Sequence, residues 1–239
     1  MTLVAAFRCR QGGILLCADR EENDGYARRE VEKIYRVDGL PACEVFLAGT
    51  GPGNIIRLAN EEIHLTLGTA SANRVNVMAE HRRLIEQAVA AIYVRFGKVL
   101  KQEPMGMIIV VAPRAHGVPL LYHTDNAVLV PETYYAAYGS GKTVADYLSD
   151  RIYRPHQHGG LDKGLIGVMA AFILREAEQS SAGVGLGFDM VFIHEGDKSL
   201  HFIPPDAAKE IEAGVPSLAD AIYSYWKDHA TVPEWLTKK

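Results

Sequence analysis

The first 34 residues, MTLVAAFRCRQGGILLCADREENDGYARREVEKI (residues 1–34), contain the pattern on which the fold prediction depends. An apolar run from Leu3 to Phe7 is followed by the pair Gly12-Gly13 and by a second apolar run from Ile14 to Ala18. Two apolar runs joined by a glycine turn predict a β-hairpin. A hairpin of this length returns the end of its second strand to the start of its first, so we expect Asp19 to lie beside Thr2.

Lys33 is a third residue that could join Thr2 and Asp19 in a reactive site. Lys33 directly precedes another strand-like run, Ile34 to Val37, and a strand starting there next to the hairpin would bring its ammonium group to Thr2 and Asp19. A threonine hydroxyl is a weak nucleophile that needs a neighbouring base. If Met1 is removed, the α-amino group of Thr2 can be that base, with a reference pKa of about 7.7–8.0. A nearby lysine cation would favour the neutral amine, and Asp19 would hold that lysine.

These residues resemble the start of a proteasome β-type subunit, a kind of N-terminal-nucleophile (Ntn) hydrolase. The matching pieces are Thr2, Ala18-Asp19-Arg20, Lys33-Ile34, Leu47 to Gly51, Gly139-Ser140-Gly141 and Glu178 to Gly183. Each motif is weak alone, but their order along residues 2–195 matches that of the family. The resemblance therefore indicates a distant bacterial proteasome homologue.

The resemblance implies a role for each matching residue. Thr2 would be the nucleophile, Lys33 would tune its electrostatics, and Asp19 would orient the lysine. The backbone N–H of Gly49 would stabilise the oxyanion that forms when Thr2 attacks a carbonyl. The residues that would contact or orient the N-terminal amine are Ser140, Glu178 and Ser181.

Some positions depart from the family pattern. The Thr2-to-Asp19 spacing is one residue longer than usual, so an ungapped count puts Leu3 at the nucleophile position unless the doubled Gly12-Gly13 absorbs the extra residue. Glu178 stands where the family has aspartate.

The remaining pattern alternates blocks of strands and helices. We expect strands over residues 2–8, 14–19, 33–37, 43–48, 105–111, 118–123, 127–130 and 134–138, and a closing hairpin over 184–194 and 199–203. We expect helices from Ile55 to Leu65 and over 74–100, 142–152 and 161–179, with one or two short helices in 204–239. Residues 21–30 are expected to form a loop or turn, and residues 68–73 a polar connection.

This order predicts an α+β fold. The resemblance implies, more specifically, a four-layer αββα sandwich in which two sheets face each other between pairs of helices. Because no repeat or linker interrupts the sequence, we expect residues 2–239 to form a single proteasome-like Ntn-hydrolase domain.

Composition limits the partners and the compartment. The 239 residues carry 25 Lys and Arg against 29 Asp and Glu, and no stretch is strongly basic, so nucleic acid is not an expected partner. No apolar run reaches membrane-spanning length, so a membrane is not expected either. Three cysteines without metal-like spacing, and no signal segment, favour a cytoplasmic location. No cofactor or metal is expected, since His156 and His158 lack a third ligand.

The leading functional hypothesis is a threonine-type endopeptidase of a self-compartmentalising, proteasome-like complex. The resemblance implies peptides or unfolded proteins as substrates and self-association into rings. It also allows an ATP-dependent unfoldase as partner, although no motif identifies one. Two alternatives stay open: a catalytically silent ring or scaffold subunit, and an Ntn amidohydrolase acting on small amides.

One further motif points to a different class of protein. Residues 139–143, Gly-Ser-Gly-Lys-Thr, end like a phosphate-binding loop, but Ala136 stands where that loop needs its first glycine. A nucleotide-binding role is therefore the weaker interpretation of these residues.

Overall fold

The computed structural model describes residues 2–10, 12–23, 27–153, 161–181, 183–185, 187–194, 201–203, 210–211 and 213. The first strands are β1 (Leu3–Arg8), β2 (Ile14–Asp19), β3 (Glu21–Asn23), β4 (Arg28–Glu30), β5 (Ile34–Val37) and β6 (Cys43–Thr50). Helices α1 (Gly53–Ala72) and α2 (Val77–Leu100) follow. The next elements are β7 (Gly106–Pro113), β8 (Leu120–Asp125), β9 (Val128–Glu132), β10 (Tyr135–Gly139), α3 (Lys142–Ile152) and α4 (Lys163–Ser180). The last are β11 (Phe188–Ile193) and β12 (His201–Phe202).

Most of these strands form two five-stranded antiparallel sheets. The first sheet has the order β10-β1-β2-β11-β12, and the second has the order β5-β6-β7-β8-β9. Strands β3 and β4 form a separate two-stranded sheet.

Three apolar clusters separate four layers. The first lies between the two sheets, where Val4 and Leu16 from one meet Phe46 and Val110 from the other. The second packs α1 and α2 on the outer face of the β5–β9 sheet, and the third packs α3 and α4 on the outer face of the other sheet. The predicted α+β fold with an αββα arrangement is therefore confirmed.

The predicted hairpin is present and positions the site. Val4 lies opposite Ala18, and Arg8 lies opposite Ile14, so Thr2 and Asp19 meet at one end of the sheet. The place beside β2 in the same sheet is occupied by β11, so the strand after Lys33 does not pair with the hairpin. Lys33 instead comes from β5, in the facing sheet.

Two local predictions are also wrong. The expected loop over residues 21–30 contains β3 and β4, which pair with Glu21 opposite Glu30. The expected polar connection over 68–73 is mostly helical, because α1 continues to Ala72. Burial of Leu67 and Ala70 extends the apolar stripe of that helix past Gly68.

Several predictions fall on residues outside the described ranges. These include His156, His158, the turn at 196–197 and most of 204–239. The single domain over 2–239 therefore stays a prediction. Among the described residues, no helix is both long enough and apolar enough to cross a membrane.

Candidate active site

The site is built around the side chains of Thr2 and Asp19. The hydroxyl of Thr2 donates a hydrogen bond to Asp19 Oδ1 across 2.7 Å. Both residues are buried, with exposed fractions of 5% and 1%. Leu3, the other candidate for the nucleophile position, packs its side chain into the core beneath α3 and α4. The geometry therefore places the side chain of Thr2, and not that of Leu3, beside Asp19.

Asp19 accepts hydrogen bonds on both carboxylate oxygens. Oδ1 also accepts from the backbone N–H of Leu3 at 2.7 Å and from Lys33 Nζ at 3.0 Å. Oδ2 accepts from the backbone N–H groups of Glu21 at 3.1 Å and Gly185 at 3.3 Å. Donors from β1, β3, the segment before β5 and the loop after α4 thus fix this carboxylate.

Lys33 delivers a cation to the same point. Its Nζ contacts Thr2 Oγ1 and the backbone carbonyl of Glu21, in addition to the Asp19 carboxylate. Its side chain is 10% exposed. Burial lowers the pKa of the Lys33 ammonium from its usual value, while the negative charges of Asp19 and of Glu21 and Glu22 oppose that shift. Thr2 Oγ1 therefore lies between a carboxylate acceptor and a lysine whose proton is held less tightly than in water.

The backbone of Thr2 is fixed by the turn between β10 and α3. Its carbonyl accepts from the hydroxyl of Ser140 at 3.4 Å and from the backbone N–H of Gly141 at 3.4 Å. Gly139 has φ +104, and a Cβ there would lie 1.9 Å from the Thr2 carbonyl oxygen. Gly139, the first glycine of the segment that looked like a phosphate loop, therefore makes room for Thr2, and Lys142 pairs with Asp146 on its own helix.

Ile34 in β5 pairs with Ala48 in β6. Gly49 is the next residue of β6, so it lies opposite Lys33 in the same register. It is buried, and a Cβ there would lie 2.8 Å from Cγ2 of Ile56 in α1. The position therefore tolerates only a glycine unless Ile56 moves.

Glu178 and Ser181 lie at the end of α4, and among the described residues no hydrogen bond joins either side chain to Thr2. The Glu178 carboxylate adjoins Gly185 instead, since a Cβ on that glycine would lie 2.9 Å from Glu178 Oε1. The backbone N–H of Ser181 donates to the carbonyl of Ala177 at 2.8 Å. Their expected roles toward the N-terminal amine stay predictions.

Comparison with solved structures finds this architecture in Anbu proteins. A Gly-1 mutant of Anbu from Hyphomicrobium sp. strain MC1 has a TM-score of 0.75 at 17% identity, covering 98% of this chain and 100% of that chain. Anbu from Yersinia bercovieri, described as an ancestral β-subunit, has a TM-score of 0.73 at 15% identity, covering 97% and 99%. Anbu from Pseudomonas aeruginosa, solved as a helical assembly, has a TM-score of 0.75 at 14% identity, covering 97% and 98%.

The chain has the Anbu fold. The sequence matches no protein-family model and no curated protein. At 14–17% identity the likeness to Anbu establishes the fold.

Within this Anbu fold, sequence reasoning missed two glutamates that flank the site in β3. Glu21 is 1% exposed, and its Oε2 would lie 3.1 Å from a Cβ on Gly185, so it adjoins the Glu178 carboxylate. Its Oε1 lies 3.3 Å from Arg28 Nε without hydrogen-bond geometry. Glu22 points the other way, and its Oε1 would lie 1.9 Å from a Cβ on Gly53, the first residue of α1. Their position directly after Asp19-Arg20 was the available signal.

The arrangement can support nucleophilic chemistry. Among the described residues, no group of three or more His, Cys, Asp or Glu side chains could hold a metal ion. A hydroxyl between a carboxylate and a partly desolvated lysine is the pattern expected of an activated nucleophile.

Proposed function

We propose that this chain is a proteasome-type threonine peptidase in which cleavage of the Met1–Thr2 bond makes Thr2 the N-terminal nucleophile. The observation that carries the proposal is the convergence of Asp19 and Lys33 on Thr2 Oγ1 in a buried site. The Anbu fold supports the proposal, because Anbu from Yersinia bercovieri is described as an ancestral β-subunit.

The geometry supports the following reaction. Thr2 Oγ1 attacks the carbonyl carbon of the peptide bond, and its proton passes to the α-amino group of Thr2. The amine returns the proton to the leaving amino group, which leaves an ester on Thr2. Water then hydrolyses the ester and regenerates the hydroxyl. The Lys33 cation favours the neutral amine and stabilises developing negative charge on Oγ1.

Other residues take supporting roles in this proposal. The Gly49 N–H stabilises the oxyanion, since Gly49 is opposite Lys33 in register and has no side chain in the way. Ser140 holds the Thr2 carbonyl, which fixes the direction of the new N-terminus. Glu178 and Ser181 would approach the amine once Met1 is removed. The subunits self-associate, as Anbu from Pseudomonas aeruginosa does in its helical assembly, and we propose rings that enclose the sites.

Peptide hydrolysis by wild type, Thr2→Ala and Thr2→Ser chains tests the proposal. Thr2→Ala removes the hydroxyl, so kcat/KM should fall at least about 10³-fold. Thr2→Ser keeps a hydroxyl and an amine on one residue, so it should retain measurable activity. Equal rates in wild type and Thr2→Ala would favour a silent scaffold subunit. Thr2-dependent cleavage of small amides without peptide cleavage would favour an amidohydrolase.

A further inference from the structure

The space beside the nucleophile has an excess of carboxylates. Asp19, Glu21 and Glu22 all act electrostatically on Lys33, and the Glu178 carboxylate adjoins that of Glu21 across Gly185. The cations paired with these four carboxylates in the described part of the chain are Lys33 and Arg28. Four carboxylates thus lie close together near Thr2, and such a group attracts cations.

Glu22 is the carboxylate with the most suggestive placement. It is half-buried, and it lies both within electrostatic reach of Lys33 and against Gly53 at the start of α1. The α1 N-terminus has no acidic residue in its first turn and no side-chain cap from Pro52, so it favours an ionised carboxylate there. In the part of the chain described, no ion pair within 4.0 Å joins Glu22 to a basic side chain.

The position of Glu22 indicates which part of a substrate it would contact. The attacked carbonyl is expected at Gly49, because the oxyanion would lie at that N–H. Gly53 follows Gly49 by four residues, at the end of the turn that links β6 to α1. A long side chain next to the attacked carbonyl would extend along this turn toward the Glu22 carboxylate.

We infer that Glu22 is a specificity-determining residue that makes the site prefer substrates with a cationic side chain, arginine or lysine, on the acyl side of the cleaved bond. This inference rests on the proposed peptidase function. A role for Glu22 that is confined to capping α1 would give no discrimination between charged and neutral substrates of the same shape.

The test compares two fluorogenic peptides that differ only in arginine or citrulline before the cleaved bond. Citrulline has nearly the same shape as arginine without its charge. In wild type, kcat/KM should be at least about tenfold higher for arginine, as expected for a hydrogen bond between charged groups. In Glu22→Gln the ratio should fall toward one. Glu103→Gln, an exposed glutamate after α2, removes the same charge elsewhere and should keep the wild-type ratio.

Equal rates for the two peptides in wild type, or an unchanged ratio in Glu22→Gln, would overturn the inference. A calorimetric measurement of the binding of acetyl-arginine amide and acetyl-citrulline amide to wild type tests the cationic subsite separately from the peptidase function. Tighter binding of the arginine ligand without turnover of any peptide would overturn the peptidase and support the cationic subsite. Peptide turnover that depends on Thr2, together with equal binding of the two ligands, would overturn the cationic subsite and leave the peptidase proposal standing.

Discussion

The hydroxyl of Thr2 donates a hydrogen bond to the carboxylate of Asp19 across 2.7 Å, although 17 positions separate the two residues in sequence. The β1–β2 hairpin creates this contact, because its register brings the start of β1 to the end of β2. The same carboxylate oxygen accepts from Lys33 Nζ, so one atom links the hydroxyl to the cation. Three consequences of this arrangement, and one of the burial of the cysteines, can be measured.

Asp19→Asn should lower the free energy of unfolding by about 3–5 kcal/mol, because it removes the carboxylate that pairs directly with the buried Lys33 cation. Asp19 accepts hydrogen bonds on both carboxylate oxygens. Asparagine replaces one of these oxygens with an NH2 group, which cannot accept them. Urea unfolding of wild type and variant measures the change. Asp38→Asn is the control, since Asp38 makes an exposed ion pair with Arg36 and should shift stability by less than about 1 kcal/mol. Equal small shifts in both variants would contradict the described hydrogen-bond network.

Gly139→Ala should destabilise the chain and displace Thr2. The added Cβ would lie 1.9 Å from the Thr2 carbonyl oxygen, and the residue has φ +104, so steric overlap adds to backbone strain. Gly39→Ala is the matched control, because Gly39 has φ +79 with nothing within 4 Å of its added Cβ. The control should lose only about 1–2 kcal/mol of stability, as expected for a left-handed backbone alone. A loss in Gly139→Ala no larger than in Gly39→Ala would show that Thr2 does not lie against this turn.

The lowered pKa of Lys33 has a consequence for stability as pH changes. Between the folded pKa and the unfolded value of 10.5, the unfolded chain binds more protons at Lys33 than the folded chain does. This residue therefore contributes a rise in stability with increasing pH up to that value. Urea unfolding between pH 8 and 10 should show a smaller rise for Lys33→Met than for wild type. An equal or steeper rise in the variant would contradict the burial of the Lys33 ammonium.

The three cysteines should be inert in the folded chain. Burial raises the pKa of the Cys9 and Cys43 thiols to about 11 and that of Cys17 to about 12. Thiolate is the reactive form, so little of it is present at pH 8. A chromogenic disulfide reagent at pH 8 should label none of the three before denaturant is added and all three afterwards. Rapid labelling of any cysteine in the folded chain would contradict the described packing of that residue.

Local sequence patterns were sufficient to predict the contact between Thr2 and Asp19. The runs Leu3 to Phe7 and Ile14 to Ala18 and the glycines between them determine the hairpin, and the hairpin determines the contact. The spacing from Thr2 to Asp19 is one residue longer than in the family pattern. The turn before β2, where Gly12 has φ +87, accommodates the extra residue. Thr2 therefore keeps its position although an ungapped count favours Leu3.

Contacts that depend on packing between the two sheets could not be predicted in the same way. Lys33 reaches Thr2 from the facing sheet, and strand patterns do not specify which strands lie opposite each other. Glu21 and Glu22 looked like part of a solvated loop because every neighbouring residue is polar, yet Glu21 is buried against the loop after α4. Gly185 donates to Asp19 from that loop, and nothing in the local sequence indicates that contact.

Intact mass spectrometry with a peptide epoxyketone tests the central claim most directly. This reagent forms its ring adduct only with a residue that carries both a free amine and a hydroxyl. Our account predicts a chain that has lost Met1 and gained one probe, with the adduct mapped to Thr2 and absent from Thr2→Ala. A chain that retains Met1 and gains no adduct would contradict the assignment of Thr2 as an N-terminal nucleophile.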